Sequence, residues 1–367
     1  MVNVGVVGCG LWGSKLVRAL QEGSRSVVTA VCDTEIGRLN VIRGRFPAVD
    51  TFTEWKEFLS RDDVTLIVVA TPLDSHYAIA REAIRRGKHV LVETPFTRDF
   101  AQAEELVELA TQKGVSLAVD FTSLLTPEIQ YIKEMIETGE LGELNFVDSL
   151  RTSVGAIERQ ADVILDLASH ELAMIEFVTG RTANGLLATG SCHSGSGQVD
   201  VAYINLDYGD GMMANVHVNR LVPMKSQRLM IGGTQDTIVL AGSFADQKLR
   251  VYQGDNGDVY MPCLPSQNAL ASVVQHVISA IIDGTPLTID GRLGRSVMRI
   301  LGLCQRSLYE DHGQVLKEAT APASNVLMTA NKDAVGIESS RGGGVNVARC
   351  ESPDIAPELA SHRALVP

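Results

Sequence analysis

Apolar runs and amphipathic stretches take turns along the first third of the chain. Runs rich in Val, Ile, Leu and Ala predict strands over 3–7, 27–32, 65–70, 88–92 and 115–120, and the stretches between them predict helices over 11–22, 35–45, 74–86 and 99–113. Strands that are apolar at consecutive positions are covered on both faces, and their alternation with helices through short connections specifies a parallel, doubly wound sheet. A helix over 127–138 follows Pro127 and stops at Gly139. From about 143 the rhythm changes. A strand over 143–152 and a helix over 160–178 lead into long alternating runs at 183–193, 198–208, 211–220 and 226–232, with shorter strands to 252. The turn sequence YGDG at 208–211 marks a hairpin, so this half is largely antiparallel. Helices near 268–282 and 291–311 close it. The fold class expected is α/β: an N-terminal doubly wound parallel sheet over 1–122, then an α+β domain with an open, largely antiparallel sheet over 123–317. Without an obvious covering helix, the open sheet is expected to pair copies of the chain as a homo-oligomer, a dimer or tetramer. Residues 318–367 lack periodicity and are rich in Ser, Gly, Pro and Ala, which predicts a disordered tail.

Composition narrows the partners. Of 367 residues 45% are hydrophobic and only 5% aromatic, so the cores are aliphatic. The net charge of −12 leaves no basic surplus to neutralise phosphates, which argues against nucleic acid and against an anionic membrane. The longest compact apolar run, LIVVA at 66–70, is far below membrane-spanning length, and the N-terminus enters a strand with no basic region of a signal peptide before it. Six scattered cysteines without CxxC suggest reduced thiols and a cytoplasmic protein. The eight histidines show no ligand spacing, and no metal is expected.

Two stretches carry chemistry. GCGLWG at 8–13 is a GxGxxG directly after a strand and at the start of a helix. Gly8 permits the tight turn, Gly10 lets backbone approach a pyrophosphate, and Gly13 allows helix and sheet to pack closely; Leu11 and Trp12 are assigned to the same cofactor contact. Asp33, twenty residues past Gly13 at the end of the second strand, is placed to accept hydrogen bonds from the adenosine ribose diol and to repel a 2′-phosphate. NAD is therefore the expected cofactor. Arg38 is the reservation, as a cofactor contact or simply a helix-surface arginine. ATPLDSH at 70–76 follows a strand's carboxyl end, where Thr71 and Pro72 would approach the nicotinamide half and His76 is either a further contact or only the start of a helix. The second stretch is DVILDLASHE at 162–171. If helical, it sets Asp162, Asp166 and His170 four apart on one face. A histidine titrates in the useful range, and a carboxylate one turn away can hold its tautomer and stabilise the imidazolium. The alternative is a buried polar pair that stiffens the helix.

The glycine fingerprint, ATPLDSH, VLVETP at 90–95 and DLASH at 166–170 together resemble the Gfo/Idh/MocA oxidoreductase family, in the family's order and over about residues 1–315. FTSLLTPEIQYIKEMIETGELGEL and DVILDLASHEL are most similar to its sugar-nucleotide and N-acetylhexosamine dehydrogenase branch. The resemblance implies a Rossmann domain plus an open-sheet domain, with a small-molecule substrate held between nicotinamide and sheet. Members usually carry Glu-Lys-Pro, the lysine exchanging a proton with the reacting hydroxyl, where this chain reads Glu93-Thr94-Pro95. A threonine can orient or relay a proton but cannot serve as the base by itself. The branch also tends to have Asn where Asp162 stands and a histidine near Phe121, so an altered substrate is expected. Within this frame His170, Asp166 and Thr94 are the catalytic candidates, Glu93 joins the cofactor contacts, and Asp162, Arg151 and Asp120 are the substrate contacts. The expected reaction is NAD-dependent hydride transfer at a carbinol or carbonyl carbon of a sugar, nucleotide sugar or cyclitol-like polyol. Absence of the lysine leaves open imine reduction, a redox-assisted elimination, or an NAD-binding regulator without turnover, although Asp166 and His170 argue against the last.

Overall fold

The computed structural model describes residues 1–153, 161–195, 197–242, 248–254, 257–310 and 314–315. The tail expected over 318–367 lies outside the described residues. The strands β1 (Val2–Val7), β2 (Ser26–Cys32), β3 (Asp50–Phe52), β4 (Leu66–Val69), β5 (His89–Val92) and β6 (Leu117–Val119) form one parallel sheet in the order β3-β2-β1-β4-β5-β6. Every residue of β4 is buried, as a strand covered on both faces requires. Helices α1 (Leu11–Glu22), α2 (Ile36–Arg45), α3 (Trp55–Phe58), α4 (Leu73–Arg85) and α5 (Phe100–Lys113) make the crossovers. Strand order reverses between β1 and β4, which opens a crevice beyond their carboxyl ends. The short β3 and α3 escaped the sequence pattern because three or four residues are too few to display a period.

After a 3-10 turn (Thr122–Leu125) and α6 (Pro127–Glu137), a second sheet of nine strands begins with β7 (Leu144–Thr152). It adds β8 (Gly185–Ser191), β9 (Val201–Asp207), β10 (Met213–Asn219), β11 (Ser226–Gly233), β12 (Asp236–Gly242), β13 (Lys248–Gln253), β14 (Val259–Tyr260) and β15 (Gln314–Val315), ordered β14-β13-β12-β11-β7-β10-β9-β8-β15. The sheet is largely antiparallel, with β7 at its centre parallel to β10 and antiparallel to β11. Its strands alternate. Ala202, Ile204 and Leu206 of β9 and Ala214, Val216 and Val218 of β10 are buried on one face, while Leu187, Tyr203 and Met213 are each more than two-fifths exposed. The buried face packs on α7 (Ser169–Thr179) and α9 (Gly291–Glu310), and α8 (Ala269–Asp283) lies against α1. On the other face Tyr203 stacks on His217 with ring centroids 4.3 Å apart.

The helix expected over 160–178 differs in kind. Ile164–Ala168 form a turn of π-helix, and regular α geometry begins at Ser169. A π turn bonds residue i to i+5, so residues four apart no longer return to the same face. The uniform row of Asp162, Asp166 and His170 is therefore broken.

Candidate active site

The glycine loop turns where β1 ends. Gly8 adopts φ +94°, and a Cβ on Gly13 would sit 1.9 Å from the Gly8 carbonyl oxygen, so neither position admits a side chain. Gly10 instead faces open space and caps α1 with no side-chain hydrogen bond, leaving the helix's first N–H groups available to an anion. Leu11 is exposed and Trp12 partly so. Asp33 fastens this loop to β2: its Oδ2 accepts the Cys9 N–H at 2.7 Å and its Oδ1 the Glu35 N–H at 2.8 Å. A carboxylate oxygen has a second lone pair, so a ribose diol can still be accepted. Arg38 lies 3.6 Å from Asp33 Oδ2 and offsets part of that negative charge.

On the far side of the switch point, Ser75 Oγ donates to Thr71 Oγ1 at 2.8 Å, and Pro72 is the residue before α4. His76, expected among cofactor contacts, does not reach a ligand cavity. It is 1% exposed, and its ring nitrogens face the carbonyl oxygens of Pro95 at 2.9 Å and Thr71 at 2.7 Å. It tethers the loop after β4 to the loop after β5, and burial holds its pKa below the usual imidazole value.

A cavity of about 860 Å3 runs from α1 to the second sheet, lined by Trp12, Lys15, Glu93, Thr94, Asp120, Arg151, Asp166 and His170 among others. That volume lies within the usual range for small-molecule sites. Across it Thr94 Oγ1 and His170 Nε2 stand 3.2 Å apart, a hydrogen bond between the end of the parallel sheet and the start of α7. Burial and the Arg151 guanidinium hold His170 well below the ordinary imidazole pKa, so the ring is neutral at pH 7.

Asp166 does not hold His170 as expected. The π turn carries its half-exposed carboxylate to Arg220, 3.6 Å away, whose side chain is almost wholly buried. Although half-exposed, the Asp166 carboxylate loses enough hydration inside the cavity to raise its pKa, against the opposing charges of Arg220 and Arg151. Asp162 also departs from its expected role as a substrate contact. Its Oδ1 accepts the Leu165 N–H at 2.9 Å and its Oδ2 accepts from Gln305 Nε2 at 3.2 Å, so the carboxylate caps the helical turn and ties it to α9. Arg151 does line the cavity. Its Nη1 donates at 2.8 Å to Glu171, a fully buried acid that also accepts from Ser149 and, at 3.1 Å, from Gln227 Nε2.

Glu93 and Asp120 meet at the cavity floor. Asp120 accepts from Trp12 Nε1 at 3.4 Å and from Thr122 Oγ1 at 2.5 Å, and the Thr94 N–H approaches Glu93 Oε2 at 3.3 Å. The two carboxyls lie at the ends of adjacent strands, and burial together with the neighbouring Asp120 drives the Glu93 pKa well above the carboxylate range. Burial raises Asp120 as well, opposed by its hydrogen bonds from Thr122, Glu93 and Trp12.

The sequence pattern did not single out Lys15, Glu171, Arg220 or Lys225. For two of these a signal existed. Lys15 follows Trp12 by three on α1, and Arg220 continues the inward alternation of Val216 and Val218, where a charge is conspicuous. Among the described residues no group of three His, Cys, Asp or Glu comes together as a metal site, and no helix is long and apolar enough to cross a membrane.

The fold is shared with known proteins. Residues 2–121 match the model of the oxidoreductase family with an NAD-binding Rossmann fold, and residues 129–239 match the Gfo/Idh/MocA C-terminal domain. The UDP-N-acetylglucosamine 3-dehydrogenase of Acidithiobacillus ferrooxidans is 26% identical over 313 residues, spanning 81% of this chain and 94% of that one. The myo-inositol 2-dehydrogenase of Thermotoga maritima is 21% identical, over 86% of this chain and 99% of that one. A solved oxidoreductase of Agrobacterium radiobacter in complex with NAD+ and L-tartaric acid superposes with a TM-score of 0.76 at 20% identity, covering 86% of this chain and 98% of the other. Two family models in their proper order, over a doubly wound sheet followed by a nine-stranded one, lead to one conclusion: the chain belongs to the Gfo/Idh/MocA family of NAD-binding oxidoreductases.

Proposed function

We propose that the protein is an NAD-dependent oxidoreductase that transfers hydride between nicotinamide and a carbinol or carbonyl carbon of a sugar, nucleotide sugar or cyclitol-like polyol. The observation that carries this reading is the 3.2 Å contact of Thr94 Oγ1 with His170 Nε2, at the edge of a cavity that Trp12 and Lys15 of α1 also line. Bound NAD supplies the hydride chemistry, held by the free N–H groups at Gly10 and α1 and by Asp33 at the adenosine ribose. When the Thr94 hydroxyl donates to His170, its oxygen is open to the substrate hydroxyl, and the proton freed by oxidation moves along that line to the neutral imidazole. Asp166 and Arg151 lie in the same cavity and offer an acceptor and a cation to the substrate's other polar groups.

The division of labour follows the two sheets. Residues 1–122 hold the cofactor and 123–317 supply the substrate side. The open face with Phe146, Leu187, Tyr203 and Met213 exposed is the surface through which copies of the chain associate. The unpaired cysteines among the described residues fit a cytoplasmic setting.

The test is NAD(H) absorbance against a panel of sugars, sugar nucleotides, inositols and cyclic imines. The expected result is turnover of a polyol or its ketone that falls about a hundredfold in His170→Ala, the usual worth of a positioned acid–base group. Cofactor binding with no absorbance change across the panel would overturn the reading.

A further inference from the structure

The carboxyls of Glu93 and Asp120 sit on neighbouring strands at the carboxyl end of the parallel sheet, where β5 and β6 stop. Asp120 is 2% exposed and has two donors, Trp12 Nε1 and Thr122 Oγ1. Glu93 has one, the N–H of its own neighbour Thr94 at 3.3 Å. Glu93 Oε1 is shut off from solvent and finds no donor among the described residues. An ionised carboxylate left in that state loses the solvation of water and gains nothing in return. Two acids at adjacent strand ends and out of water also repel each other as anions, so one of them keeps its proton. Asp120, with the donors, is the anion, and Glu93 is the acid.

We propose that Glu93 and Asp120 act as one acid–base unit, holding a single proton between them in the resting protein and exchanging a second with the substrate in the cavity. The inference rests on the oxidoreductase reading and adds where the proton stays. In an oxidation the C–H electron pair would leave as hydride to bound NAD, the O–H bond would break, and the hydroxyl proton would come to rest on the pair, which lines the same cavity as Thr94 and His170 and then holds two. Reduction of the ketone runs the same transfer backwards. His170 is a poor resting place, because the imidazolium would form in a desolvated position facing Arg151. The pair has a net charge of −1 before the transfer and none after it. The other charged groups facing it across the cavity are Lys15 and Arg18 of α1, Arg151, Lys225 and Asp166, with Glu22 tied to Arg18. The cations favour the pair's anion, whereas Asp166 opposes it.

Trp12 reports on the pair directly, since its indole N–H donates to Asp120. In a Trp55→Phe background without cofactor, the remaining tryptophan's emission should show one titration step at a pH well above the carboxylate range. That step should vanish in Glu93→Gln and in Asp120→Asn. With saturating NAD and the best polyol, Glu93→Gln should lower kcat about a hundredfold and remove the matching limb of the pH profile. A step that persists unchanged in Glu93→Gln, or no step at all, overturns the shared proton. Loss of the step with unaltered kcat and pH profile makes the pair structural and overturns its part in the reaction. If the unmodified protein turns over nothing in the panel, the oxidoreductase reading fails separately: the titration still decides whether the proton is shared, and the catalytic use of it is refuted.

Discussion

Replacing Thr94 with valine removes one hydroxyl and keeps the branched shape, so it isolates the contact across the cavity. The Thr94 side chain is partly exposed to the cavity, and its hydroxyl is hydrogen-bonded to His170 Nε2. In the folded protein the change costs one neutral hydrogen bond, about 1 kcal/mol, which is a small fraction of the stability of a domain this size. The effect on turnover should be larger. Without the hydroxyl, a proton leaving the substrate must reach His170 without a relay, and the ring loses the partner that orients it. A loss of about a hundredfold in kcat corresponds to about 2.7 kcal/mol of transition-state stabilisation, more than the ground-state bond itself. Thr94→Ser keeps the hydroxyl and should retain most of the activity. The assay is steady-state NADH formation at saturating NAD, with KM and kcat separated, beside a urea unfolding curve for each variant. A valine variant with normal kcat and unchanged stability would refute the relay. A serine variant as impaired as valine would show that the methyl group, not the hydroxyl, is what the site uses.

Three other outcomes follow from the same geometry. Asp33→Ala should narrow the preference for NADH over NADPH measured by fluorescence titration, since it removes the carboxylate and leaves Arg38 to meet a 2′-phosphate; equal affinities in the unmodified protein would remove the ribose assignment. Glu171→Ala should lower unfolding free energy by about 1.5–3 kcal/mol in urea, because it removes the buried carboxylate that accepts from Arg151, Ser149 and Gln227. The folded-state pKa of Glu93 is raised, so the folded protein binds more protons than the unfolded chain above the ordinary glutamate pKa, and stability is lost as pH rises toward the folded value. Glu93→Gln should therefore gain stability over the unmodified protein progressively from acid to neutral pH, and thermal unfolding curves that stay parallel across that range would contradict the shift.

The parallel sheet was legible because buried, Val- and Ile-rich strands have no other arrangement that covers both faces, and the glycine loop because each glycine answers a separate steric demand. The second sheet was legible from its alternation, though its one parallel pairing, β7 with β10, was not: alternation reports which face is buried and says nothing of direction. The site was read in part. Thr94 and His170 do face each other, but Asp166 and Asp162 were assigned by counting in fours, and that arithmetic assumes a regular α-helix. Spacing leaves His76 open between a cofactor contact and the start of a helix; its hydrogen bond to the Pro95 carbonyl, nineteen residues away, is not something spacing reveals. Glu171 passed unnoticed between apolar neighbours, since its partners Ser149, Arg151 and Gln227 come from strands far off in the chain.

The single π turn at Ile164–Ala168 is in effect one residue more than an α-helix would use to join the same two points. Removing one residue there would let the ladder close as ordinary helix and swing everything before it by about 100° relative to His170. Asp166 would leave Arg220, and the Asp162 cap on Leu165 would open. The choice of which acid looks into the cavity is thus controlled by chain length as well as by residue type. Relatives that differ by one insertion or deletion in this stretch could present a different carboxylate to the same histidine without substituting a single catalytic side chain, a route to new substrates that an inventory of point changes would overlook.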